Sequence, residues 1–277
     1  MAVGISTYAF TWRSKLRPGD SLTLKDMVEQ TRSLGASVLQ ICDYEPIDRL
    51  GCTELLEVRE AAASNGVRLE LGTRGVEPET LRRYFKLAEA LGAGLVRTMY
   101  AKFGDCVPLD IFERNLAAAG EYFGDAGIKL SIETYELIST HDLVCTLRRL
   151  ENPWLGICLD PANSLAALEV PQDVILTAAP FVSSVHVKDF GFGRRDEGFG
   201  FEVTGRRLGD GQLDYESMLD AIEWQGADIN LIVEHWLTWQ GSAEATCETE
   251  IEWTRHGVQL LLDYVESRTG ISSPPTH

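Results

Sequence analysis

Four short apolar segments each carry, at or near their end, a side chain able to hold a metal ion. IKLSIE closes on Glu133, LGICLD on Asp160 and INLIVE on Glu234, while VSSVHV carries His186. Alternation within each segment puts the four groups on a common side. Ile128, Leu130 and Ile132 share a face that excludes Glu133. Leu155, Ile157 and Leu159 oppose Asp160, and Ile229, Leu231 and Val233 oppose Glu234. His186 stands between Val185 and Val187. Strand side chains alternate with period two, so apolar faces packed on helices turn all four polar groups the other way. Three inward carboxylates with no cation would repel and desolvate one another, and a metal ion relieves that penalty. One such acid alone reads as an ordinary loop contact; four with shared parity and position read as the ligands of one divalent metal ion. Oxygen ligands plus an imidazole suit Mn²⁺, Mg²⁺, Co²⁺ or Zn²⁺, and spacing does not choose among them.

The elements that must position these groups alternate along the chain. Strands are predicted over 3–8, 38–42, 67–72 and 95–99, then in the four segments above. Helices are predicted from an N-cap at Ser21 to Leu34, over 52–64, through Leu81, Phe85, Ala88 and Leu91 to a stop at Gly92, and from a cap at Asp110 to Phe123. Further helices follow over 140–150, from about Ser164, over 214–224 and over 244–265, while 189–213 reads as one long irregular segment. Eight strand–helix pairs imply a parallel sheet closed into a barrel. The expectation is a single α/β domain, a (β/α)8 TIM barrel over 1–270, with a disordered tail at 271–277. A doubly wound open sheet is the second choice, weakened by the lack of a Gly-rich fingerprint after the first strand. In a barrel the functional groups gather at the C-terminal strand ends, where neighbouring strands lie roughly 4.8 Å apart, so four ends can surround one ion.

The 277 residues and 44% hydrophobic content fit one globular domain. No apolar run is long enough to span a bilayer, and the N-terminus carries no signal-peptide pattern, so no membrane partner is expected. Six scattered cysteines without a C-x-x-C point to a reduced, cytoplasmic home. A net charge of −17 argues against nucleic acid, which requires a basic surface.

Cations nevertheless gather on the predicted active face. Arg74 follows the third strand, Arg97 lies in the fourth, Lys188 shares the inward parity of His186, and Arg194, Arg195, Arg206 and Arg207 cluster in the segment after it. They suggest an anionic substrate, since Arg matches carboxylate geometry; the alternative is neutralisation of local acids such as Asp189. Tyr8 points inward from the first strand and could touch substrate or fill the barrel.

The segments IET, CLDPANS, VHVKDF and IVEHW together resemble the motifs of the xylose-isomerase-like TIM-barrel superfamily, over essentially the whole chain. The resemblance implies that Glu133, Asp160, His186 and Glu234 are metal ligands and that Glu133 and Glu234 exchange protons with substrate. Two departures matter. The epimerases and endonuclease IV of that superfamily carry a histidine where this chain has Asn163, and no D-x-H pair occurs among its five histidines, which argues against DNA repair. The chemistry implied is polarisation of a ketose or keto sugar acid by the ion and passage through an enediolate, with Glu133, Glu234 and Lys188 as the catalytic groups and Tyr8, Arg74, Arg97, Asn163 and Arg206 against the substrate. A sugar isomerase or epimerase is the first expectation. ELGTRG, CLDPANS and GFGFEVTG also resemble a subgroup acting on oxo-sugar acids, exemplified by the 3-oxo-isoapionate decarboxylases, which makes a lyase the alternative. A sugar- or metal-binding protein without turnover is the third. Family members often dimerise, which leaves a homo-oligomer open.

Overall fold

The computed structural model describes residues 2–16, 22–105, 107–195, 198–222 and 229–269. Its strands are β1 (Ala2–Ser6), β2 (Val38–Ile41), β3 (Arg68–Gly72), β4 (Leu95–Thr98), β5 (Lys129–Glu133), β6 (Leu155–Leu159), β7 (Val182–Val187), β8 (Asp189–Arg194), β9 (Phe201–Arg206) and β10 (Asn230–Val233). The helices are α1 (Thr11–Leu16), α2 (Leu24–Ser33), α3 (Cys52–Ser64), α4 (Pro78–Leu91), α5 (Leu109–Asp125), α6 (Thr140–Leu150), α7 (Pro171–Ala178), α8 (Tyr215–Ala221) and α9 (Ala243–Thr269). Eight strands close into a parallel barrel in the order β1-β10-β7-β6-β5-β4-β3-β2. The fold class is therefore the (β/α)8 barrel expected from the alternation.

The apolar alternation builds the layer between strands and helices. Leu39, Leu71, Leu130, Ile132, Ile157, Val185 and Leu231 are fully buried in one continuous core with Met27, Leu81, Phe112, Leu116 and Val258 from the surrounding helices. Close contacts inside the barrel require glycine at Gly72, where an added Cβ would meet Cys42 Sγ and lie 3.3 Å from Arg97 Cζ. Gly92 ends α4 in the left-handed region at φ 68°, a conformation that costs glycine nothing.

Several boundaries differ from expectation for local reasons. The first strand stops at Ser6, whose side chain accepts from the Tyr8 amide and turns Thr7–Phe10 into a 3-10 helix. The cap of α2 is Thr23, in a reciprocal box with Asp26; Ser21 lies outside the described residues, as do 223–228 and 270–277. Asp110 sits within the first turn of α5, after Pro108, instead of capping it. After Asp160 only a 3-10 turn, Asn163–Ala167, forms before α7 begins at Pro171, a residue suited to a first helical turn.

The largest correction is the segment 189–213. It contains an antiparallel hairpin, with Asp189 opposite Arg206 and Arg194 opposite Phe201. Its base is tied by Asp189, whose buried carboxylate accepts from the amides of Phe190, Gly209, Gly211 and Leu213. That acid serves backbone donors; it does not neutralise the nearby arginines.

Candidate active site at the strand ends

β5, β6, β7 and β10 are consecutive around the barrel, so their C-terminal ends meet. Glu133 is the last residue of β5, Asp160 follows β6, His186 lies in β7, Lys188 follows β7 and Glu234 follows β10. His186 Nδ1 faces all three acids, at 3.5 Å from Glu133 Oε1, 3.5 Å from Asp160 Oδ2 and 3.6 Å from Glu234 Oε2. Ligand atoms of Glu133, Asp160 and His186 lie within 4.8 Å of one another. All four side chains are buried.

Two cations hold this cluster. Arg97 Nε stands 3.0 Å from Glu133 Oε2, and Lys188 Nζ lies 2.7 Å from Asp160 Oδ2 and 3.4 Å from Glu234 Oε2. Asn163 bridges the two halves: its Nδ2 donates to Glu133 Oε1 at 2.6 Å, and its Oδ1 accepts from Lys188 at 3.3 Å. The Trp236 ring lies 4.4 Å from the ammonium, a cation–π contact. Burial alone would push Glu133 and Glu234 up, but Arg97 with His186, and His186 with Lys188, outweigh it and hold both below the ordinary carboxylate range. Burial pulls Lys188 down, yet Asp160, Glu234 and Glu133 raise it well above a free lysine. The group is an ammonium at neutral pH.

The donor set fits a divalent cation. Among the described residues, both Asp160 oxygens, Glu133 Oε2, Glu234 Oε1 and His186 Nδ1 have no aligned hydrogen-bond partner. Glu133 Oε2 and Asp160 Oδ2 have Arg97 and Lys188 beside them, but Asp160 Oδ1, Glu234 Oε1 and His186 Nδ1 are left without an aligned donor or acceptor, and buried polar atoms are ordinarily satisfied, so these three call for a ligand. The acids Glu133, Asp160 and Glu234 also outnumber Arg97 and Lys188 by one charge when His186 is neutral, and a divalent ion would make the site net positive.

The other expected substrate residues divide. Arg97 and Asn163 lie inside the cluster. Tyr8 and Arg74 line an adjoining cavity of about 810 Å³ with Cys42, Gly72, Tyr84 and Lys102. Arg74 is held there by Asp43 through paired bonds of 2.9 and 2.7 Å and lies over the Phe103 ring. Arg206 donates to Thr204 Oγ1 and the Gly205 carbonyl on its own strand, so these bonds belong to the hairpin and not to the cluster. Arg207 pairs with Asp210 and Glu252 on the surface. Sequence reasoning passed over Gln40, Glu70 and Asn230, which fill the barrel beneath His186. The signal was available: each polar residue sits between two apolar ones, Gln40 between Leu39 and Ile41, Glu70 between Leu69 and Leu71, and Asn230 between Ile229 and Leu231.

Comparison with known proteins agrees with this architecture. Residues 28–257 match the family described as xylose isomerase-like TIM barrel. The chain is 42% identical over 277 residues, 100% of its length and 99% of the relative's, to 3-oxo-isoapionate decarboxylase of Pectobacterium atrosepticum. Among solved structures, D-psicose 3-epimerase from Clostridium cellulolyticum superposes with a TM-score of 0.72 at 13% identity, over 96% of this chain and 99% of that one. A xylose isomerase-like TIM barrel protein from Mycobacterium smegmatis, solved in complex with magnesium, gives 0.68 at 16% identity, over 95% and 97%. No helix among the described residues is long and apolar enough to cross a membrane. By strand order, by the placement of its acids and by the match over most of its length, the chain belongs to the xylose isomerase-like TIM barrel family.

Proposed function

We propose that the chain is a divalent-metal-dependent lyase that decarboxylates an oxo-sugar acid. The observation that carries the reading is Lys188, a buried ammonium 2.7 Å from Asp160 inside the metal-competent cluster. The full-length identity of 42% to a 3-oxo-isoapionate decarboxylase supports the same class. Decarboxylation beside a carbonyl needs no base, because the electron pair comes from the broken carbon–carbon bond. It needs an electron-accepting oxygen and a proton donor for the carbon left behind. An ion held by Glu133, Asp160, His186 and Glu234 would supply Lewis-acid stabilisation to that oxygen. Lys188, buried within 2.7 Å of Asp160 Oδ2 and 3.4 Å of Glu234 Oε2, is the proton donor in this reading. Arg74, with Nε and Nη2 taken by Asp43, offers its remaining donors from the cavity wall to an anionic group.

The first expectation, an isomerase or epimerase, asks Glu133 and Glu234 to act as bases. It stands second because the relative matched over the whole length of the chain at 42% identity is a decarboxylase. The test is to incubate Mn²⁺- or Mg²⁺-loaded protein in D₂O with 3-oxo sugar acids and, separately, with neutral ketoses. CO₂ release with one deuteron delivered to the carbon that lost it is the expected result. Deuterium uptake into a neutral ketose without CO₂ would replace the lyase by an isomerase, and binding without either would make it a sugar-binding protein.

A further inference from the structure

A chain of hydrogen bonds runs through the barrel interior to His186. Arg68 Nη2 donates to Asn230 Oδ1 at 2.8 Å, Asn230 Nδ2 donates to Glu70 Oε1, and Gln40 Nε2 donates to Glu70 Oε2 at 2.9 Å. Gln40 Oε1 faces His186 Nε2 at 2.7 Å and also lies 3.1 Å from the Cys42 thiol. Gln40, Glu70 and His186 are buried.

The chemistry of the groups gives this chain a direction. A carboxylate only accepts, so Glu70 turns the NH₂ groups of both amides toward itself. Burial pushes Glu70 up, opposed by Asn230, Gln40 and Arg68; both of its oxygens face amide donors, which leaves a carboxyl proton no acceptor. With its NH₂ committed to Glu70, Gln40 can show His186 only its oxygen. The oxygen requires a donor, so the imidazole proton sits on Nε2. Nδ1, the atom aimed at Glu133, Asp160 and Glu234, is then left as the ligand nitrogen.

We infer that Glu70, acting through Gln40, is a positioning residue that fixes the His186 tautomer and thereby sets the divalent-metal affinity of the site. The inference rests on the metal-dependent reading above. Glu70 touches neither the cluster nor the cavity, so a structural acid at this place would leave metal affinity alone. In Glu70→Gln the new amide carries an NH₂ group of its own. Arg68 holds the Asn230 oxygen, so that NH₂ turns toward Gln40, whose amide reverses and presents NH₂ to His186 Nε2. The proton moves to Nδ1, where it blocks ligation.

The experiment is Mn²⁺ titration of the full-length wild type and Glu70→Gln by calorimetry, with circular dichroism of the metal-free proteins and ¹⁵N-histidine NMR of the Mg²⁺-loaded wild type. The expected result is a loss of about 10- to 100-fold in Mn²⁺ affinity in a variant that keeps its metal-free fold. The wild-type His186 ring is expected to carry its proton on Nε2. Equal Mn²⁺ affinity in the two proteins overturns the inference. A wild-type ring protonated on Nδ1 overturns it too, and decides the matter if the variant fails to fold. A wild type that binds no divalent ion overturns the metal reading itself, an outcome distinct from both.

Discussion

Arg97 Nε stands 3.0 Å from Glu133 Oε2, with both side chains about 4% exposed. The pair spans β4 and β5, and the Arg97 Nη1 bond to the Thr73 carbonyl ties it to the end of β3 as well. Removing one partner of a buried pair leaves the other as an uncompensated charge, at a cost of about 3–5 kcal/mol. Arg97→Met is expected to lose about that much in urea unfolding of the metal-free protein. Burial raises Glu133, and Arg97 and His186 more than reverse it, so its folded pKa lies below the ordinary 4.5. The pair's contribution is therefore present above that value and disappears as pH falls through the depressed folded pKa. The gap between wild type and variant should close in acid; a gap constant with pH would show that Arg97 acts by packing alone.

Lys188 separates catalysis from metal binding. It is a cation among metal-competent acids, so its removal should leave divalent affinity unchanged or tighter. A positioned proton donor contributes about 10²–10⁴-fold in rate. Lys188→Met is expected to lower the rate constant of CO₂ release by that range while Mn²⁺ titration shows no weakening. Loss of Mn²⁺ affinity in parallel with rate would instead mark Lys188 as a scaffold for Asp160.

His235 adjoins Glu234 but faces the helical layer, with Nε2 3.2 Å from Thr254 Oγ1 and its ring edge-on to Trp253. Burial pushes it down from 6.5 to about 4. Below pH 6.5 the unfolded chain takes up a proton that the folded chain refuses until about pH 4. Stability contributed above the unfolded pKa is thus lost as pH falls through that window, by about 3 kcal/mol for a shift of this size. Comparing wild type with His235→Met across pH 4–7 isolates the effect: the wild type should lose more stability. Parallel curves would place the His235 proton uptake outside this window.

The barrel and the cluster were legible in the chain because both depend on alternation. Period-two patterning identified the faces of β5, β6 and β10, and a polar residue at inward parity then marked Glu133, Asp160 and Glu234. The same rule applied to β2, β3 and β10 would have found Gln40, Glu70 and Asn230, which were overlooked because they do not end their strands. What pattern cannot carry is partnership across the barrel. Nothing local to Arg97 specifies Glu133 over the substrate, and nothing local to Arg74 specifies Asp43. The hairpin was hidden for another reason: Gly191, Gly193, Gly198 and Gly200 read as loop, whereas Gly191 and Gly193 lie within β8 and Gly198 and Gly200 occupy the positive-φ positions before β9.

That hairpin begins at the residue after Lys188, which makes its anchor testable at a distance from the chemistry. Asp189 gathers the amides of Gly209, Gly211 and Leu213 at 2.9, 2.9 and 3.0 Å, and Gly211 packs so tightly on it that no Cβ would fit. Asp189→Ala would leave these donors unmet, and hydrogen bonds to a charged acceptor are individually worth about 1.5–3 kcal/mol. Because the segment 209–213 lies outside the strands of the closed barrel, the full sum is not expected in global stability. Faster hydrogen exchange confined to those three amides and the hairpin is expected, with a smaller loss in urea unfolding. On the partner strand at the same base, Gly205, paired with Phe190, lies against the Trp236 backbone, and the Trp236 ring covers Lys188. Loosening should therefore reach the ammonium and slow turnover while Mn²⁺ affinity, set by the strand ends, holds. Wild-type exchange at Gly209, Gly211 and Leu213 in Asp189→Ala would mean that the loop is held by its apolar contacts, and that Asp189 does not support Lys188.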